Sequence, residues 1–143
     1  MPDGKTHAVL TVATSSLLFI TATNYLHAPL DVSLILTSGA LSGLALTPDL
    51  DQAESRHGFW HLLWWPYGKL FKHRSTLSHF PIISTIVRLI YAFGLPLFLL
   101  WWNYPIENWS HWNYIFYAIL GLMAADTTHF LADIITTKIK RTF

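Results

Sequence analysis

Four long apolar runs divide this chain, and polar residues gather where the runs begin and stop. Ala8 to Leu26 carries no formal charge and is long enough to cross a bilayer core of about 30 Å. Val32 to Thr47 is also uncharged but shorter, so either Leu30 and Leu50 extend it or it stops inside the protein. Phe80 to Trp102 is the third run, interrupted by Arg88 and softened by Gly94 and Pro96. Trp112 to Ile135 is the fourth, with Asp126, His129 and Asp133 in its second half. The pattern predicts an all-α integral membrane bundle, a single domain over residues 1–143 with transmembrane helices at about 8–26, 32–47, 80–102 and 112–135. A further segment at about 57–72, between the second and third helices, is too short and too broken at Pro66 to cross. Its Trp rings, with Lys69 and Lys72, predict a helix or loop lying in the lipid interface. A hydrophobic segment packed on the bundle has the same composition.

Charge gives the runs a direction. Lys5 precedes the first run, Arg56, Lys69, Lys72 and Arg74 lie between the second and third, and Lys138, Lys140 and Arg141 follow the fourth. Of the 9 Lys and Arg residues only Arg88 falls elsewhere. The positive-inside rule makes the basic side cytoplasmic and places both termini there. Trp101, Trp102, Tyr104, Trp109 and Trp112 then form the aromatic belt on the far side. In a soluble bundle, whose core helices can be equally apolar, this segregation would be an accident. Arg88, two to three turns inside its run, is expected to pair with an acid such as Asp126 or to reach toward the polar clusters.

Composition narrows the chemistry. Only 12% of the 143 residues are charged and 52% are hydrophobic, against roughly a quarter charged in soluble domains. The net charge of +1 gives no electrostatic footprint for nucleic acid. Cysteine is absent, which excludes disulfides, thiolate metal sites and Cys nucleophiles, so any metal must bind through nitrogen and oxygen. No secretory signal peptide is evident. No Gly-x-Ser-x-Gly, phosphate-cradling glycine loop or His-Glu-x-x-His motif occurs.

Four clusters of His and Asp fall on the predicted cytoplasmic side: His7, Asp49 with Asp51, His73 with His79, and His129 with Asp133. Asp49 and Asp51 follow Pro48 in a turn and can ligate one ion or bridge two, although Asp51-x-x-Glu54 also resembles a helix-capping box. His129 and Asp133 are four apart and share a helix face, where both can grip one ion or the Asp can orient the His. Asp126, one turn earlier, can equally belong to a metal-free polar network. His73 and His79 flank Arg74, whose planar guanidinium suits a phosphate or carboxylate. His7 joins this set through topology, because it opens the first run on the same side.

Gly4-Lys5-Thr6-His7, Thr47-Pro48-Asp49-Leu50-Asp51, His73-Arg74-Ser75-x-x-Ser78-His79 and His129-x-x-x-Asp133 together resemble the bacterial membrane-bound metal-dependent hydrolases. They are most similar to that family's metal-binding branch common in cyanobacteria. The broader family carries a shorter His-Arg-Gly-x-Thr-His arrangement, whereas here Ser75 replaces the glycine and His79 falls one residue later. The resemblance implies several membrane helices, a His/Asp metal site, and a bacterial inner membrane or, in a cyanobacterium, a thylakoid membrane.

Two functions are expected from these residues. In the first, His7, Asp49, Asp51, His73, His79, His129 and Asp133 hold one or two divalent ions, zinc first, with manganese or iron as alternatives. Asp51 or Asp133 takes the proton from water and Arg74 holds an anionic group of a membrane-associated, phosphorylated substrate, so the partner is membrane lipid. In the second, the metal only ties helix ends together in a small subunit or assembly factor of a larger membrane complex. No nucleic-acid partner and no organic cofactor are expected.

Overall fold

The computed structural model describes residues 4–46, 59–70, 80–104 and 112–142. Among these residues all regular structure is helical, with no strand. Helix α1 spans Gly4–Ile20 and continues through a π-helical turn at Thr21–Tyr25. Helices α2 (Leu30–Ser42), α3 (Phe59–Leu70), α4 (Pro81–Asn103) and α5 (Trp112–Thr142) follow. Three stretches are long and apolar enough to cross a membrane: Lys5–Tyr25, Pro81–Asn103 and Trp112–Ile139.

The second expected span is the short one. Helix α2 has 13 residues, about 20 Å at ~1.5 Å per residue, against a bilayer core of about 30 Å. Leu30 begins the helix, as the extended reading of this run expects. At the other end the chain tightens: the amides of Gly43, Leu44 and Ala45 each bond three residues back, at 3.0 Å, and regular α-helix stops well before Thr47. The described helices thus supply three of the four expected spans by length and composition.

The molecule divides into two compact units, residues 1–45 with 111–143, and residues 46–110. In the first, α2 runs parallel to α5. The Tyr114 hydroxyl donates to the Asp31 carboxylate at 2.5 Å, and Gly39, Gly121 and Gly43 carry the contact onward. A Cβ at Gly39 would strike the Ala118 carbonyl, and one at Gly121 would strike Leu36 and Ala40 backbone. Small residues therefore let the two backbones touch, as in helix pairs packed within lipid. Helix α1 runs the other way, with Thr14 Oγ1 donating to Thr128 Oγ1 at 3.1 Å.

This unit is polar and small inside and apolar outside. Thr11, Ser15, Ser33, Ala40, Ala125 and Asp126 are buried, while Val9, Leu17, Leu34, Phe116 and Ile135 are exposed. The inner hydroxyls are satisfied locally. Thr11 donates to His7 O at 3.0 Å, Ser15 to Thr11 O at 2.7 Å and Thr37 to Ser33 O at 2.7 Å. Apolar solvent around a self-satisfied polar interior calls for this distribution.

In the second unit an aromatic cluster joins α3 to α4. Trp64 and Tyr67 are fully buried, and their rings lie 5.5 and 5.2 Å from that of Tyr91. Leu46, Val87 and Ala92 pack around them. Trp64 is thus a packing residue rather than one of the headgroup-level rings expected from the sequence. Trp65, on the opposite face, is half exposed, with Lys69 Nζ 5.5 Å from its ring centroid. Arg88 is also buried. Its Nε donates to Ser84 O at 3.1 Å and its Nη1 donates to the carbonyl of Leu46.

Candidate metal centre

Two helices of the first unit bring three expected ligands together. On α5, His129 and Asp133 lie one turn apart on the same face, as their spacing predicts. On α1, the inward stripe passes through Ala22, Ser15, Thr11 and His7, so the antiparallel helix carries His7 to the level of Asp133. His7 and His129 are buried, and Asp133 is largely so.

The imidazoles of His7 and His129 stack at 3.7 Å between centroids, with planes 16° from parallel. His7 Nε2 lies 3.5 Å from Asp133 Oδ1, and His129 Nε2 lies 3.6 Å from Asp133 Oδ2. The donor atoms of all three residues fall within 4.8 Å of one another. These spacings exceed hydrogen-bond length. Each is near the edge of a tetrahedron with arms near 2.1 Å, about 3.4 Å, but the two involve different carboxylate oxygens, so sharing one ion would require the wider 4.8 Å group to draw in. Asp133 Oδ1 is buried and accepts no hydrogen bond among the described residues. A buried carboxylate is costly without a cation to face, whether a metal ion or a protonated imidazole. Two imidazole nitrogens and one carboxylate oxygen form a donor set suited to zinc, iron or manganese.

Of the seven expected ligands the structure joins these three. Asp49, Asp51, His73 and His79, with Arg74, lie outside the described residues. The chain leaves α2 at the same end of the unit: Gly43 sits against Thr11 and Ala125, each one turn from a histidine of the centre. Asp126 is buried on α5 one turn before His129 and does not belong to the three-donor group.

A protein of Aquifex aeolicus (strain VF5), described as an uncharacterized protein, is 30% identical across 67% of this chain and 84% of its own length. No solved structure matches the chain. A family model covers residues 2–143, all three donors included. The wider hydrolase resemblance rests on the sequence motifs alone. The match to the family model spans nearly the whole chain, and the protein therefore belongs to the family described as "Uncharacterized metal-binding protein (DUF2227)".

Proposed function

We propose that this is a membrane-embedded protein whose His7, His129 and Asp133 bind a divalent metal for hydrolytic chemistry at the cytoplasmic face. The observation that carries this reading is the three-donor group itself, which leaves coordination positions for further ligands and for water. His7 and His129 hold the ion as neutral donors, and Asp133 anchors it between them. A divalent ion supplies Lewis acidity, activating water near neutral pH and polarising the bond to be cut. Asp49, Asp51, His73 and His79 are the candidates for the remaining positions or for a second ion. Asp51 or Asp133 accepts the proton, and Arg74 holds the anionic group of a lipid-associated substrate. Zinc is the first candidate, with manganese and iron next. Both termini lie inside, following the Lys and Arg distribution.

A second reading has its own support. The donors come from the first turn of α1 and the second half of α5, so an ion would fasten two helices far apart in sequence. A closed site of this kind would suit a subunit or assembly factor of a membrane complex. The deciding experiment is to purify the full chain, measure its metal, and assay phosphoester, ester and amide substrates with Asp51→Ala as control. Turnover lost in a folded Asp51→Ala protein supports hydrolysis. A metal-loaded protein inert on every substrate, with no exchangeable water, supports the fastening role.

A further inference from the structure

We infer that α3 lies within the hydrocarbon layer, beside the first half of α4, with its outward face against lipid acyl chains. This does not depend on the metal reading. Along the 12 residues of α3, Trp64 and Tyr67 form one face, packed on Val87, Tyr91 and Ala92 of α4. The opposite face carries Leu62, Trp65 and Leu70, which are 72%, 50% and 69% exposed. Helix α4 has 23 residues, about 34 Å at ~1.5 Å per residue, and matches a bilayer core of about 30 Å. Val87 to Ala92 then lies about 9–17 Å from Pro81, a quarter to a half of the way through. A helix held at that level is below the headgroups, and its exposed Leu and Trp side chains face apolar lipid.

The chain beside it supports the same depth. Leu46, where regular helix has already ended, packs on Trp64 and Tyr67. Irregular backbone inside hydrocarbon is tolerated only when protein satisfies its polar groups. The Leu46 carbonyl receives the buried Arg88 guanidinium, which an aqueous loop would not need. Lys69 is the only Lys, Arg, Asp or Glu along α3, and its long stem, lying over Trp65, allows the ammonium to reach upward to phosphate.

The absence of cysteine makes the test direct. Single substitutions Leu62→Cys, Phe80→Cys and Ile90→Cys are spin-labelled in the full chain, reconstituted in phosphatidylcholine–phosphatidylglycerol vesicles. Collision with oxygen and with a water-soluble nickel chelate is then compared by power saturation. The expected result is a label at position 62 that favours oxygen over nickel several-fold and sits nearer the depth of position 90 than of position 80. Preferential access to nickel, or a depth equal to that of position 80, overturns the inference. A label shielded from both reagents also overturns it, since protein would then cover this face. Quenching of Trp65 by brominated lipid, obtained as the difference from Trp65→Phe, reads the same depth without any label.

Discussion

His7 and His129 lie ring over ring, and each turns its Nε2 toward a different oxygen of Asp133. Alanine at any of the three removes one donor from a group of three. Zinc affinity is expected to fall by more than the ~10–100-fold that loss of a supporting partner costs. Lys5→Ala, at an exposed position two residues before His7, leaves it unchanged. Metal content by mass spectrometry and chelator competition measure both.

Because the donors bridge α1 and α5, metal binding is also a stability term. With free zinc at 100 times its dissociation constant, the stabilisation is about 2.7 kcal/mol. Detergent-solubilised wild type should gain this in denaturant unfolding, and Asp133→Asn should gain little. Equal gains in both would mean that zinc binds elsewhere.

Arg88 uses two different nitrogens on two different carbonyls, Ser84 O and Leu46 O. Lysine gathers its three donors on one terminal nitrogen and lacks the Nε–H that reaches Ser84 O, so it does not reproduce this geometry. Arg88→Lys and Arg88→Met are each expected to cost about 1.5–3 kcal/mol, the range for losing hydrogen bonds to a charged group. Unfolding followed by Trp fluorescence is well placed to see this, because Leu46 packs on Trp64.

The glycines of the chain should separate into two classes. Gly121→Ala places a methyl group on Leu36 and Ala40 backbone, which cannot rotate away, and should cost about 3 kcal/mol, the upper end for overpacking. At Gly94 an added Cβ meets only Ile90 Cγ2 at 3.5 Å, so Gly94→Ala is neutral or gains up to ~1 kcal/mol of helix propensity. Thermal melts of the two variants give the comparison.

The Tyr114 hydroxyl holds the Asp31 carboxyl below its ordinary value of 3.8, helped by the Val32 amide. A lowered folded-state value stabilises the fold above the unfolded value, and the contribution is lost as pH falls through the folded one. Tyr114→Phe should therefore be less stable than wild type at pH 6, and the difference should shrink as pH drops below about 4. A difference that grew on acidification would rule the pair out as the source.

The apolar runs made the long helices legible because a membrane-length segment shows in composition alone. The end of α2 did not show, since Gly39-x-x-x-Gly43 sits inside an uncharged run and hydropathy does not register backbone contact. That small-residue spacing, matched by Gly121-x-x-x-Ala125 on α5, was the signal available. His129 and Asp133 were readable from local periodicity. His7 carried no local signature and entered only through the side of the membrane assigned to it. The sequence leaves Trp64 between lipid and packing because a Trp-rich amphipathic segment looks alike whether its rings meet lipid or, as here, Tyr91.

The pairing of α2 with α5 also sets a schedule for biogenesis. Helix α2 emerges from the ribosome well before α5 and, at 13 residues, is shorter than a membrane-crossing helix. Its glycine seam has nothing to close against until the final helix is made. His7 must wait equally long for His129 and Asp133. On the proposed reading of this site, ion capture is a closing event of synthesis, and a nascent chain arrested before Trp112 lacks two of the three donors.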